Sequence, residues 1–260
     1  MSCFVESLES RVFLSVNAVA DPAPAPDFAA SLSEKYPPVI LPAGSVKTTV
    51  RLTNLGGAMA AQQYVPVSVY VSATPELDTS ATPIYESTLK TRLKTGQSKN
   101  YTLKMTAPDS LPTDGYYFIV EINSDGAVAE SNLDNNVVAG SFLSNPFGHY
   151  SGTVSIPHYG DYPIDFDLSP GIGSDISSSM FGGGGDFSQL LNVSDVSSTL
   201  TSRGHYTVKM SGILNDTAYG DIRFRVTASG TIQGQTMDGN IGVSAMGQSI
   251  HFSFIVTKDG

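Results

Sequence analysis

Short runs in which apolar and polar residues alternate recur through the first half of the chain, from residue 27 onward. Within the run from residue 47 to 54, Val50 and Leu52 fall on one face of an extended chain, and Thr49 and Arg51 fall on the other. Turn-forming sequences rich in Gly, Pro, Asn and Asp separate the runs. The alternation predicts seven strands: Asp27–Glu34, Val46–Asn54, Val65–Ser72, Ile84–Leu89, Lys99–Met105, Tyr116–Asn123 and Val137–Phe142. Seven short strands at this spacing are typical of an immunoglobulin-like antiparallel β-sandwich.

The second half carries longer alternating runs after a boundary at the sequence Asn-Pro-Phe-Gly, residues 145–148. Strands are predicted at Tyr150–Ile156, Tyr162–Leu168, Gly204–Leu214, Asp221–Thr231, Thr231–Val243 with a break, and Ser249–Lys258, with weaker candidates at Phe187–Val193 and Val196–Ser202. The glycine-rich stretch Ser169–Asp186 between them is predicted to be a flexible loop. The chain is therefore predicted to be all-β, with an immunoglobulin-like domain at 28–143 and an antiparallel meander at 145–260.

The meander is predicted to form a small β-barrel, with a second sandwich as the alternative, because closure removes exposed strand edges. The predicted interior residues are Tyr206, Val208, Met210, Phe224, Phe252 and Phe254. These side chains are bulky enough to fill a small barrel, although barrels of this kind also hold small ligands. Both a packed interior and a ligand cavity stay open.

Charge and cysteine content narrow the class of partner. The formal net charge is −10, and the 14 Lys and Arg residues are scattered along the chain. Nucleic-acid binding is therefore not expected, since phosphate contacts need clustered basic side chains. A single cysteine, Cys3, rules out an intrachain disulfide. No apolar run is long enough for a transmembrane segment.

The segment 1–20 has the character of a leader. Its piece SLESRVFLS resembles the "LEPR-xLL" leader of bacterial secreted and surface proteins, with Leu8, Glu9, Arg11, Phe13 and Leu14 in matching positions and Ser10 in place of the usual proline. The resemblance implies export, and the alternative is a short amphipathic arm. Residues 21–27, DPAPAPD, are predicted to be an extended Pro/Ala linker.

The connection between the last two strands of the first domain is acidic and rich in amides. It reads E-S-N-x-x-N-N, formed by Glu130, Ser131, Asn132, Asn135 and Asn136. Together with the stretches VRLTNLGG, VSVYVSATPELD and DGYYFIVEIN, it resembles CARDB, the cell-adhesion-related domain found in bacteria. The resemblance covers residues 27–141 and implies an immunoglobulin-like module of an extracellular protein. The chain departs from the family at Leu133, where a second acidic residue is common.

The same hairpin contains a candidate calcium site. The oxygen-bearing residues are Glu121, Asn123, Asp125, Glu130 and Asp134, and Gly126 permits a sharp turn. This resembles the start of a calcium loop, in which hard oxygens surround a hard cation. The alternative is structural, because Asn and Asp side chains also cap the backbone of long turns. No other cofactor is predicted.

Catalytic residues are not evident in the sequence. The four histidines, His149, His158, His205 and His251, have no metal-binding spacing, and no motif of a nucleophilic hydrolase is present. His149 and His158 flank one predicted strand, and only their clustering with a carboxylate would indicate an enzyme. The sequence thus predicts a non-enzymatic, exported or cell-surface adhesion module that binds a protein or a surface polysaccharide. The alternative is a small-molecule or carbohydrate-binding protein with its site in the second domain.

Overall fold

A computed structural model of the protein describes residues 23–33, 35–156, 160–170, 176–182, 191–216 and 220–259. The leader-like segment 1–20 lies outside the described residues. Every regular element in these ranges is a β-strand, and all pairs are antiparallel. A helix able to cross a membrane is thus absent from this part of the chain. The first eight strands are β1 (Phe28–Ser33), β2 (Ser45–Asn54), β3 (Gln63–Ser72), β4 (Thr82–Thr91), β5 (Ser98–Thr106), β6 (Gly115–Ile122), β7 (Val137–Ala139) and β8 (Leu143–Ser144).

These eight strands form two sheets that enclose one core. One sheet has the order β1-β2-β5, and the other has the order β4-β3-β6-β7, with β8 also paired to β6. The predicted inward faces of β2 and β3 are confirmed, since Val50, Leu52 and the alternate valines of β3 are all buried. The all-β class and the immunoglobulin-like sandwich are therefore as the alternation predicts.

The seventh predicted strand, Val137–Phe142, is shorter than predicted, because it ends at Ala139 and pairing with β6 resumes only beyond its predicted end, at Leu143. Ile119 of β6 pairs with Ala139, and Tyr116 pairs with Leu143. Between these pairs β6 advances by three residues while the returning segment advances by four. One residue too many on one strand interrupts a ladder in the manner of a β-bulge. The segment therefore ends as β7 and resumes as the two-residue β8.

The described residues of the second half contain eight further strands. They are β9 (Gly148–Ile156), β10 (Gly160–Pro170), β11 (Ile176–Gly182), β12 (Leu191–Leu200), β13 (His205–Asp216), β14 (Gly220–Gln233), β15 (Thr236–Ala245) and β16 (Gln248–Lys258). β11 lies inside the stretch predicted to be a loop, so that prediction is wrong for residues 176–182. Its serine-rich backbone pairs with β10 over seven residues, and hydrogen bonding to an existing edge needs no apolar alternation.

The meander is confirmed, but the described residues do not close it into a barrel. Pairing runs in the order β11-β10-β9-β16-β15-β14-β13-β12 and includes no bond between β11 and β12. Cα atoms of β11 and β12 come within 8 Å of each other, so the sheet curls toward itself. Closure requires one consistent stagger around the whole cylinder. The β12–β13 register shifts between Val193 and Asp195, and such a bulge bends the edge strand that would meet β11.

Each half has its own buried apolar cluster, and one residue from the first half packs in the cluster of the second half. Val39, in the β1–β2 connection of the first domain, packs in the core of the second domain with Tyr206 and Ile232. Its backbone N–H donates to the carbonyl of Ser202 at 3.2 Å. The connection between β1 and β2 thus joins the two halves through apolar contact as well as hydrogen bonding.

Candidate functional site

The acidic hairpin after β6 begins with a residue in the left-handed region. Asn123 has φ of 55° and is buried. Its Oδ1 accepts the Val128 N–H at 2.9 Å, and its Nδ2 donates to the Val128 carbonyl at 2.7 Å. This two-point contact fixes which end of the amide is the donor. Asparagine tolerates positive φ and bonds to nearby backbone, which explains its place at the end of the strand.

Glu130 is the centre of the hairpin. Its Oε1 accepts Nδ2 of Asn123 at 2.5 Å and Nδ2 of Asn136 at 3.1 Å. Its Oε2 accepts the backbone N–H of Phe28 at 2.5 Å. Three donors from three parts of the chain thus converge on one carboxylate. Hydrogen bonds to an ionised group are stronger than those between neutral groups.

The segment before β1 is held by the same connection. Ser131 N–H donates to the Pro26 carbonyl at 2.9 Å, and Asn135 Nδ2 donates to Asp27 Oδ1 at 2.8 Å. We call the five residues Asn123, Glu130, Ser131, Asn135 and Asn136 the Glu130 cluster. Its members join the β6–β7 connection to the start of the first strand.

Asn54 supports the same segment from the opposite side. It is fully buried, and its Oδ1 accepts N–H groups of Asp27 at 3.0 Å and Gly56 at 3.1 Å. Its Nδ2 donates to the carbonyls of Gly57 and Leu93. The sequence pattern marks Asn54 only as part of a turn, and no signal beyond the following Leu-Gly-Gly indicates its four bonds.

The predicted calcium ligands are placed around the hairpin in separate interactions. Glu121 Oε2 accepts the hydroxyl of Tyr70 at 3.0 Å, and burial, with this bond as the next cause, raises the pKa of Tyr70. Asp125 Oδ1 accepts the Ala127 N–H at 2.9 Å, and Asp134 is exposed. Within the described ranges, no group of three or more His, Cys, Asp or Glu side chains is arranged to hold a metal ion.

Two amide oxygens within the Glu130 cluster nevertheless lack partners among the described residues. Oδ1 of Asn135 and Oδ1 of Asn136 are buried and accept no hydrogen bond from the described part of the chain. A buried oxygen without a donor is destabilising, and a cation is one group that would satisfy it. The calcium site therefore stays a prediction.

The histidine hypothesis centres on His149, because His158 lies outside the described residues. His149 Nδ1 is 2.7 Å from Asp167 Oδ1, and its Nε2 is 3.6 Å from Asp259 Oδ2. The bond to Asp167 raises the pKa of His149. Ser151 Oγ donates to Asp259 rather than to the histidine, so this geometry does not activate the hydroxyl as a nucleophile. The remaining two histidines, His205 and His251, are exposed.

The predicted interior of the second domain is filled to different degrees along its length. Tyr206, Val208 and Phe254 are buried, and the rings of Tyr206 and Phe254 lie 6.4 Å apart. Met210, Phe224 and Phe252 are only half-buried. Side chains thus pack the end of the sheet near Val39, and the other end is more open.

Lys258, at the end of β16, connects this domain to the first one. It is 8% exposed, and its Nζ donates to the carbonyls of Thr113 at 2.6 Å and Asn145 at 3.0 Å. Burial lowers the pKa of its ammonium group, while Asp114 opposes this effect. The bonds of Lys258 and the packing of Val39 both join the two domains.

The fold and the Glu130 cluster define an immunoglobulin-like module that is fastened to the segment before its first strand. Residues 25–140 match the family model of CARDB, and the first domain of this chain is therefore a CARDB domain. CARDB is a non-catalytic family whose members occur in bacterial surface proteins. The predicted resemblance is confirmed.

Three solved structures are similar to parts of the chain. The CARDB domain of a Pyrococcus furiosus protein, in complex with di-metal ions, aligns with 46% of this chain and 89% of its own, with 21% identity and a TM-score of 0.33. Spo0M, a sporulation control protein from Bacillus subtilis, aligns over 89% and 90% with 9% identity and a TM-score of 0.31. A candidate outer membrane protein from Bacteroides fragilis aligns over 91% and 96% with 11% identity and a TM-score of 0.26. No curated protein matches the chain.

Proposed function

We propose that this protein is a non-catalytic interaction module that acts in the bacterial envelope or outside the cell, where it binds a protein or a polysaccharide. The CARDB domain at residues 25–140 carries the proposal, because domains of this family are non-catalytic and occur in surface proteins. The leader-like segment at 1–20 is consistent with export.

The internal use of the Glu130 cluster supports this proposal. Glu130 is the carboxylate of the family signature, and it accepts three hydrogen bonds from other residues of the same domain. Its role in the domain is therefore to fix the fold. A partner would then bind at the exposed surface of the domain. Two exposed leucines, Leu55 (56%) and Leu133 (58%), lie on loops that contact the segment around Asp27. Exposed apolar groups of this kind are common in interaction surfaces.

Cell fractionation with sequencing of the mature N-terminus tests the location. We expect the protein in the envelope or medium, with the first residues removed near Ala20. An unprocessed chain in the cytoplasm would contradict the proposal.

The purified protein provides an independent test of binding. It should attach to envelopes isolated from the native cells, and a chain truncated after residue 144 shows which domain is responsible. Attachment that requires the second domain would favour the carbohydrate-binding alternative. Attachment by the CARDB domain alone would favour the adhesion reading.

A further inference from the structure

A notch opens at one end of the second domain because two neighbouring hairpins differ in length. The β14–β15 ladder ends with Phe224 opposite Ala245. The β13–β14 ladder continues to Asp216 opposite Gly220. Residues 220–223 of β14 therefore extend beyond the turn at 246–247. The resulting open depression has a volume of about 670 Å³, which is within the range of about 300–1,000 Å³ found for small-ligand sites.

Two arginines line this notch without a charged partner. Arg223 and Arg225 are exposed on the same face of β14. Their neighbours across the adjacent strands are Ile213 for Arg223, and Ser211 and Ser244 for Arg225. Neither arginine forms an ion pair with a described residue, and the lining includes no Asp or Glu.

This placement is unusual for an acidic domain. From residue 145 onward the sequence has ten aspartates and five basic residues, which are Arg203, Lys209, Arg223, Arg225 and Lys258. Three of the five lie on β13 and β14, and Lys209 pairs with Thr227, which is two residues from Arg225 along β14. Asp221 is the one carboxylate that β14 itself adds near the notch.

The other groups in the notch suit a sugar. Ser211, Ser244 and Ser249 contribute hydroxyl groups, and the Oγ atoms of Ser244 and Ser249 are 2.7 Å apart. Hydroxyl groups both donate and accept, as sugar hydroxyls require of their partners. The arginine Cα atoms, two residues apart on a strand, are separated by about 7 Å. Each guanidinium can bind a carboxylate or a sulfate through two parallel hydrogen bonds.

We propose that this notch binds an acidic saccharide unit, a sugar carrying a carboxylate or a sulfate, within a polysaccharide chain. The notch is open to solvent, so an internal unit of a polymer has access to it. This assignment rests on the proposed extracellular binding function and specifies its ligand class. An acidic polypeptide would meet the arginines equally well, but each of its residues offers the hydroxyl lining only one backbone N–H and one C=O, whereas a sugar unit offers several hydroxyl groups.

The test is titration calorimetry of the purified full chain against four polymers. Polygalacturonate provides carboxylates, dextran sulfate provides sulfates, dextran is neutral, and polyglutamate is anionic without sugars. We expect binding to at least one of the first two, no binding to dextran, and weaker binding to polyglutamate. Substitutions Arg223→Gln and Arg225→Gln should each weaken that binding about tenfold, as for loss of a hydrogen-bonded charge.

Two control variants separate the notch from general charge. Arg203→Gln removes the same charge in the β12–β13 turn, and Arg92→Gln alters a second depression of about 550 Å³ beside Met59. Both should bind as the native protein does. The proposal would be overturned if Arg203→Gln weakened binding as much as the notch variants do, or if Arg92→Gln weakened it more. It would also be overturned if both notch variants bound as the native protein does, if dextran or polyglutamate bound as tightly as the acidic polysaccharides, or if none of the polymers bound. If attachment to envelopes survives while the notch variants have no effect, the proposed function stands and only the ligand assignment fails.

Discussion

One carboxylate, that of Glu130, connects the start of β1 with both ends of the β6–β7 connection. It accepts hydrogen bonds from Phe28 at the start of β1 and from the amides of Asn123 and Asn136 on the β6–β7 connection. Both asparagines are buried, at 4% and 5% exposure. The loss of Glu130 would therefore leave buried donors without an acceptor, which costs more than the net value of the bonds.

Replacement of Glu130 by alanine should destabilise the first domain strongly. We expect the free energy of unfolding to fall by about 3 kcal/mol, because hydrogen bonds to a charged group are lost and buried amides are left unsatisfied. Urea unfolding of the full chain, followed by hydrogen exchange in β1 and β6, would measure this. Asp125→Ala is the matched control, since the exposed Asp125 caps only the Ala127 N–H. A similar loss in both variants would contradict the central role of Glu130.

The calcium prediction is tested at the same residues. If the site exists, calorimetric titration of the full chain with calcium chloride should show binding, and calcium should raise the thermal midpoint. Glu130→Gln should abolish both effects, whereas Glu86→Gln, at an exposed position on β4, should change neither. The absence of heat at millimolar calcium would remove the site and leave the structural role alone.

Three buried tyrosines make the fold sensitive to alkaline pH. Burial raises the pKa values of Tyr116, Tyr150 and Tyr206 far above the ordinary value. Above about pH 10 the unfolded chain releases these phenolic protons and the folded chain keeps them, so stability falls as pH rises, by about 1.4 kcal/mol per pH unit for each tyrosine. Lys258 makes stability rise with pH over part of this range, because burial lowers its pKa. The three tyrosines together outweigh this single group.

Urea unfolding at several pH values between about 9 and 11 measures this slope. Tyr206→Phe should remove about one third of the part of the slope that the tyrosines contribute, because one of the three groups no longer titrates. Tyr64→Phe, at a position 56% exposed, should leave the slope unchanged. An equal slope in all three proteins would contradict the assignment.

The residue types in the sequence predict where the Glu130 cluster lies, but they do not predict whether it binds a cation or the backbone. The signature E-S-N-x-x-N-N locates it correctly, since the CARDB match includes these positions. Acidic and amide side chains near a turn suit either a cation or the backbone, and the choice depends on where donors from distant segments lie. The N–H of Phe28 is 102 positions away from Glu130 in sequence, so no local pattern reveals that contact.

At the scale of elements, one cross-strand row in the second domain depends on glycine. Tyr206, Gly230, Gly239 and Phe254 lie opposite one another on β13, β14, β15 and β16. A Cβ atom on Gly239 would lie 2.4 Å from both the Tyr206 hydroxyl and the Ser229 carbonyl oxygen. The two glycines thus provide the space across which the rings of Tyr206 and Phe254 meet.

Replacement of Gly239 by alanine should therefore displace Tyr206. We expect a loss of about 2 kcal/mol in the free energy of unfolding, as for other overpacked sites, and a change in the near-ultraviolet circular dichroism of the tyrosines. Gly247→Asn is the control, because its φ of 78° suits asparagine and nothing surrounds its Cβ position. Unchanged stability in the Gly239 variant would show that the sheet adapts at no cost.

The alternation of apolar residues predicts elements well where one sheet face is buried, as in β2 and β3. It misses β11, because a serine-rich strand that pairs with an edge carries no such alternation. It divides β12 into two candidates, since the bulge between Val193 and Asp195 shifts the phase of the pattern. A bulge is a relation between two strands, and the sequence of one strand does not specify it.

At the scale of the whole molecule, Val39 belongs to the first domain by sequence and to the core of the second by packing. Substitution Val39→Ala should lower the stability of the second domain by about 2 kcal/mol, through loss of buried methyl groups. Hydrogen exchange followed by mass spectrometry should show faster opening of β13 and β14, with β2 and β3 little changed. Val46→Ala, in the core of the first domain, is the control and should speed exchange in β2 and β3, with β13 and β14 little changed. If Val39→Ala sped exchange in the first domain alone, this coupling would be contradicted.

The contacts of the segment before β1 also determine the order in which the first domain can be completed. The partners of Pro26, Asp27 and Phe28 on the β6–β7 connection are Ser131, Asn135 and Glu130, all more than one hundred positions later in the chain. Contacts so distant in sequence form slowly, because the loop between them must close first. During synthesis β1 can pair with β2 early, and Asn54 can already hold Asp27, but the bonds from Glu130, Ser131 and Asn135 form only after the β6–β7 connection has emerged. The segment before β1 thus receives its hydrogen bonds in two stages, first from Asn54 and later from the β6–β7 connection.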